Sequence, residues 1–264
     1  MTGLLRDLKT SIRHLLRTPG FSVTVALMLA IGIGATTAIF SIAEGVLLRP
    51  LPFPDAGRLV VLGDRLEGVG WEPGVTAPEI RDYVRNTQSF TSLGGYQETT
   101  LELSGLHQPA VVDAARISGD AFRALGVAPL LGRVFAQQED DEHEPVAVLS
   151  CALWKNRFGG NGQILGQTIL LDRRPYIVVG LMPCGFEFPL KPGHLNHSGL
   201  WVPLSLSPSE LTTGIATWNF QMVGRPRPGI TVEEALSDAG RVAQESMPNY
   251  PAYMHRIHIH RLAS

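Results

Sequence analysis

Cysteine is scarce in this 264-residue chain: it holds two, Cys151 and Cys184, too few for a disulfide framework and too far apart for a metal-type pair. A bridge needs their Cα atoms within about 7 Å, and nothing in the sequence brings them there, so two free, largely buried thiols are expected. A bridge in an oxidising compartment is the open alternative. The chain has no G-x-x-x-x-G-K phosphate loop and therefore no ATP cradle of that type. It has no G-x-S-x-G elbow, and scattered Ser, His and Asp residues do not argue a triad. Positive charge is also in short supply. Beyond residue 50 there are 17 Lys/Arg against 22 Asp/Glu, without the basic footprint of a nucleic-acid binder.

The most telling absence is local. From Phe21 to Ala43 run 23 residues with no charge: 16 apolar, two Gly and five Ser/Thr. As a helix this stretch extends about 35 Å, enough to cross a bilayer. Its hydroxyls are expected to bond a carbonyl one turn back. The run exceeds the 7–15 apolar residues of a signal peptide, although Ala35 to Ala38 mimics a cleavage motif. The "GIG" at Gly32–Gly34 lacks the third glycine and the preceding strand of a dinucleotide fingerprint. A buried core helix is the open alternative, but such helices seldom lack charge for so long, and a membrane helix at residues 21–48 is expected.

Flanking charge orients it. Arg6, Lys9, Arg13 and Arg17 precede the run and only Arg49 and Arg58 follow closely, which keeps the N-terminus cytoplasmic and exports everything after about residue 49. Residues 1–20 read as a cytoplasmic amphipathic helix, with Leu4, Leu5, Leu8, Ile12, Leu15 and Leu16 at helical spacing among basic residues. Ala30, Gly34, Thr37 and Ser41 align small side chains on one face of the span, where another membrane helix fits.

Residues 49–264 are long enough for a substantial core. Strands are expected near Leu59–Leu62, Thr99–Leu103, Ala110–Ile117 and Thr217–Val223, with a final strand in "HRIHIHRL". Helices start at the capping boxes Thr76/Glu79 and Thr231/Glu234 and at Ser150, and a short one near Asp120–Leu125 stops at Gly126. "QTILLDRRPYIVVGL" reads as a hairpin turning at Asp172–Arg174. "QQEDDEHEP" reads as a solvated acidic turn without the ligand alternation of a calcium loop. Pro226 should confine its strand to a sheet edge or a bulge. The class is α+β.

No catalytic, cofactor-binding or metal residue is expected. His258 and His260 share one face of the last strand, with His255, His194 and His197 as further donors, but no inward geometry follows from spacing. Of Trp71, Trp154, Trp201 and Trp218, at least three are expected in the core rather than in a ligand groove.

The ordered signatures "RHLLRTPGFS", "ALMLAIGIGATTAIFSIAEGVLLRPLPFPD", "SFTSLGGY", "ARISGDAFRALGVAPLLGRVF", "VAVLSCALWKNRFGG", "LDRRPYIVVGLMPCGFEFP", "LWVPL" and "RPRPGITVEEA" resemble the MacB/FtsX-like permeases of bacterial ABC transporters, in particular the acidobacterial duplicated-permease type. The resemblance covers nearly the whole chain. It implies a first membrane helix followed by a MacB-like periplasmic core domain of two α+β subdomains. It further implies an inner-membrane location and no catalytic site or cofactor in the permease. The partners implied are a cytoplasmic ABC ATPase subunit, other permease membrane helices, and a periplasmic adaptor or substrate. The further membrane helices that follow the core domain in the family are absent from these 264 residues. The alternative is a single-span extracytoplasmic binding or adaptor module with no ATPase.

Overall fold

The computed structural model describes residues 19–47, 53–63, 74–105, 108–189, 198–213, 217–246 and 248. The amphipathic segment before residue 19, Trp71, the five candidate histidines and "HRIHIHRL" lie outside them. The chain divides into two compact units, Met1–Pro50 and Leu51–Ser264.

The first unit contributes one helix, α1 (Pro19–Leu47), of 29 residues, or about 44 Å at 1.5 Å per residue. Its hydroxyls behave as their chemistry requires: Thr24, Thr36 and Thr37 each donate to the carbonyl four residues back, at 2.9, 2.8 and 2.7 Å. Over the described residues alone, which omit several side chains of α1, no helix is long and apolar enough to cross a membrane.

In the second unit the elements run β1 (Val60–Leu62), α2 (Ala77–Asn86), β2 (Phe90–Ser104), β3 (Ala110–Ile117), α3 (Gly119–Leu125), β4 (Leu131–Gly132), α4 (Gln137–Asp141), β5 (Val146–Leu149), α5 (Cys151–Phe158), β6 (Thr168–Leu171), β7 (Arg174–Leu181), β8 (Leu200–Pro203), α6 (Pro208–Thr213), β9 (Gln221–Pro226) and α7 (Val232–Ser246). The α+β class expected from the sequence is what forms. The strands make one sheet in the order β1-β9-β2-β3-β8-β5-β7-β4. Because β6 pairs with both β2 and β7, the six strands β2, β3, β8, β5, β7 and β6 close a hydrogen-bonded ring. The β3/β8 and β5/β7 pairs are parallel; the others are antiparallel. Among the described residues the strands of this unit thus form a single sheet.

Local chemistry starts the elements where the sequence indicated. Thr76 and Glu79 form the capping box of α2, and Ser150 and Ser118 cap α5 and α3 by accepting from Leu153 and Ala121. Thr231 Oγ1 accepts from Glu234, whose carboxylate accepts from Thr231 in return. Gly126 ends α3 in the left-handed region at φ 69°. The β6–β7 hairpin turns at Asp172 and Arg173, both at positive φ as a two-residue turn of the right twist demands. Pro226 ends β9 beyond its pairing with β1, and β2 bulges between Phe90 and Ser92 opposite it, as a strand proline requires.

Two expectations need correction. The acidic stretch is not simply a solvated turn: Gln137–Asp141 forms a short helix and Asp140 is buried. Of the three described tryptophans only Trp201 is fully buried; Trp154 is half-buried against the ring core and Trp218 is half-buried.

Three core clusters fill the unit. One lies between β1, β9, α2 and α7 and includes Leu62, Ile80, Tyr83, Met222 and Val242. The second is aromatic, with Phe53, Tyr96, Phe122, Phe135, Phe188 and Trp201. The third draws on Leu103, Val112, Leu149, Ile169, Val178 and Leu200, one from each strand of the ring.

Candidate coupling site

The stretch that follows α1 enters the second unit through Phe53–Arg58, "FPDAGR", and this lead-in is held in two ways. Phe53 is buried, with its ring edge-on to Phe186 and Phe188 at centroid distances of 6.1 and 6.4 Å. Phe188 in turn stacks on Tyr96 of β2 at 4.7 Å, and Phe186 on Trp201 of β8 at 5.1 Å. Trp201 donates its indole N–H to the Phe188 carbonyl at 2.9 Å, so the aromatic loop 186–188 is fixed to the sheet. T-shaped contacts of this kind contribute about 0.5–1.5 kcal/mol each beyond their burial.

The second hold is made by arginine. Arg225, near the end of β9, donates Nη2–H to the Pro54 carbonyl at 2.8 Å, Nη1–H to that of Asp55 at 3.4 Å, and Nε–H to that of Ala124 in α3 at 2.9 Å. Gly126 lies over this contact. A Cβ there would stand 3.7 Å from the guanidinium and 3.9 Å from the Pro54 ring, and its positive φ already favours glycine. Asp55 turns the chain at φ 47° into a single 3-10 turn, Ala56–Arg58. Arg58 then reaches the other way, donating to the Arg227 carbonyl at 2.8 Å. The two guanidiniums therefore reach across to each other's segments, Arg225 to backbone of the lead-in and Arg58 to backbone just beyond β9.

The far side of β9 is anchored as well. Arg227 donates to the Phe90 carbonyl at 3.1 Å, and Asp238 of α7 accepts the N–H groups of Gln88 and Ser89 at 2.7 and 2.9 Å. Burial pushes the Asp238 carboxyl up, but the Arg241 guanidinium and these N–H donors outweigh it and hold the group down at about 2. Asp140 is the reverse case. It accepts the Ser205 N–H at 2.7 Å and the Gln137 amide at 3.1 Å, with no bonded cation among the described residues, and burial drives its carboxyl up to about 6. Beside that loop Arg116 bonds Gln97, Glu210 and the Leu204 carbonyl. Burial also pushes Glu210 up, yet Arg116 and Ser207 hold it at about 2.

Cys151 and Cys184 form a disulfide with Cα atoms 4.9 Å apart, which corrects the expectation of two free thiols. It ties the start of α5 to the turn just before Phe186. Among the described residues no group of three His, Cys, Asp or Glu is placed to hold a metal. In the sequence Arg58 counted only as a flanking charge, and Arg225 was not singled out; being the one charge in "QMVGRP" was its only mark.

Comparison with known proteins gives a consistent picture. The macrolide export ATP-binding/permease protein MacB of Salmonella paratyphi A is 25% identical over 131 residues, which are 50% of this chain and 19% of that protein. The chain thus matches about a fifth of the length of that relative. The extracellular domain of the noncanonic ABC-type transporter YknZ from Gram-positive bacteria superposes with a TM-score of 0.53 at 13% identity, over 73% of this chain and 96% of that domain. The periplasmic region of MacB from Actinobacillus actinomycetemcomitans gives 0.53 at 15%, over 71% and 82%. The model of the MacB-like periplasmic core domain matches residues 22–242, and the chain belongs to that family, a domain of ABC transporter permeases.

Proposed function

We propose that residues 51–264 are the extracytoplasmic moving part of an ABC transporter permease, and that Phe53–Arg58 is where motion of the membrane segment enters it. In this reading α1 is the membrane helix, with its N-terminus cytoplasmic. Val23, Leu27, Met28, Leu29, Ile31, Ile33 and Phe40 are all more than half exposed, apolar on several sides at once as a lipid-facing helix is. The disulfide favours an oxidising, extracytoplasmic compartment for the second unit.

ATP hydrolysis is supplied from outside these residues by a cytoplasmic ABC ATPase. The relative named above joins ATP-binding and permease parts under one name, whereas these 264 residues carry no phosphate loop. Other membrane helices, and an extracytoplasmic adaptor or substrate, complete the assembly. The work of this chain is mechanical. The observation that carries the reading is the double hold on the lead-in: a segment that merely linked a domain to an anchor needs neither a buried aromatic ring nor two bonded guanidiniums.

The test is twofold. Reporter fusions beyond Pro50 should be active outside the cytoplasm, and the full-length locus product should co-purify with an ATPase whose turnover changes when Arg225→Ala is introduced. A product that never associates with an ATPase, in cells where its loss leaves ATP hydrolysis unchanged, overturns the coupling and favours a free-standing adaptor.

A further inference from the structure

The disulfide is unequal at its two ends. Cys151 is buried and is the first residue of α5, directly after the Ser150 cap. Cys184 is exposed, on a turn that the Phe186 N–H closes on the Pro183 carbonyl at 3.0 Å, with Gly185 beside it at φ 100°. A thiolate arriving from solvent therefore approaches from the Cys184 end, and displacement at the Cys184 sulfur expels Cys151 as the leaving group. The N-terminal turn of a helix favours the negative charge that develops on the departing sulfur. The exposed residue takes the attack and the buried one leaves.

What the bond restrains gives the asymmetry a consequence. Two residues after Cys184 comes Phe186, then Phe188, and both rings hold Phe53. From this geometry we propose that Cys151–Cys184 is a thiol–disulfide exchange site, addressed by a dithiol reductant of the protein oxidoreductase class, and that its opening loosens the aromatic hold on the lead-in. The reductant's thiolate bonds to Cys184 Sγ, the Cys151–Cys184 bond breaks, and its electron pair leaves on Cys151, which takes up a proton. The reductant's second thiolate then attacks its own sulfur in the mixed disulfide. Cys184 is released as a thiol, and the reductant departs as a disulfide, two electrons poorer. The exchange chemistry stands by itself; its effect on coupling rests on the reading of Phe53–Arg58 given above.

The experiment uses the full chain in detergent or proteoliposomes. With glutathione as a one-thiol probe, trapping and mass mapping should find the adduct on Cys184 in at least ~10-fold excess over Cys151. With dithiothreitol, both thiols should appear without denaturant. Hydrogen exchange should then rise at least about tenfold more in 53–58 and 183–188 than in β2 and β3, over and above the general loss of stability. The Cys151→Ser/Cys184→Ser pair should show the fast exchange permanently and ignore the reductant.

Equal adducts on both cysteines, reduction only after unfolding, or slow exchange at 53–58 in the double variant would each overturn the proposal. So would a rise spread evenly through the sheet, the mark of a general staple. An ATPase that ignores the chain in either redox state would sink the coupling function instead, and would leave the adduct pattern intact.

Discussion

The lead-in is held on one side by aromatic rings and on the other by guanidiniums, and the two holds differ in what they fix. Ring contacts are only weakly directional: Phe53 resists withdrawal mainly in proportion to the area it buries, with a smaller preference for its edge-on geometry. Charge-assisted bonds to carbonyls are directional, so Arg225 and Arg58 fix the register of Pro54 and Asp55 against β9 and of Arg58 against residue 227. In the coupling proposed above, one hold sets how hard the segment can be pulled and the other sets where the pull lands.

The sharpest way to break this division is Phe53→Ala. It should cost about 3–5 kcal/mol in chemical denaturation, while Phe53→Leu should recover most of the loss. Next comes removal of the disulfide, whose closed loop of 33 positions corresponds to about 3–4 kcal/mol by the loop-entropy relation.

Arg225→Met should cost on the order of 2 kcal/mol, with Arg225→Lys in between. Unlike Phe53→Ala, it should change ATPase coupling more than stability, and an equal effect of the two variants on both readouts would erase the distinction drawn here.

The pH profile comes fourth. Asp140 is raised in the fold from 3.8 to about 6. The folded state therefore holds a proton that the unfolded state releases. The stabilisation is complete below about pH 4 and is lost as pH rises through about 6, on the order of 2 kcal/mol. Asp140→Asn should flatten that slope without altering hydrogen exchange at 53–58. Asp238 runs the opposite way, contributing above about pH 4 and losing its contribution as pH falls toward 2. Smallest of all, Arg58→Ala should cost about 1 kcal/mol in the same denaturation experiment, since its main bond goes to an accessible carbonyl.

How much of this was legible in the sequence follows the range of the interaction. Caps at Thr76, Ser150 and Thr231 were readable because a side chain and its backbone partner lie three residues apart. The first half of β2, Phe90–Glu98, was missed because it does not alternate. At Gly94 it meets Ser118 and Ala121 beside α3, and at Gly95 it meets Ile80 of α2, so helices cover both faces. The burial of Asp140 was hidden for another reason: Ser205, which donates to it, arrives 65 residues later. The arginine holds were illegible because their acceptors are backbone carbonyls, which carry no residue signature. The disulfide was misjudged because sequence separation does not report distance. The α+β class and the family signatures needed none of these long-range facts.

The pairing of β1 with β9 sets an order on biosynthesis. Val60–Leu62 leaves the ribosome some 160 residues ahead of Gln221–Pro226, a wait of roughly 8–30 s at ordinary elongation rates. Until then the nascent strand is unpaired and Pro54 has no guanidinium to receive it. A chain made only as far as β8 is thereby unable to grip its own lead-in, and the hold forms once β9 has been made.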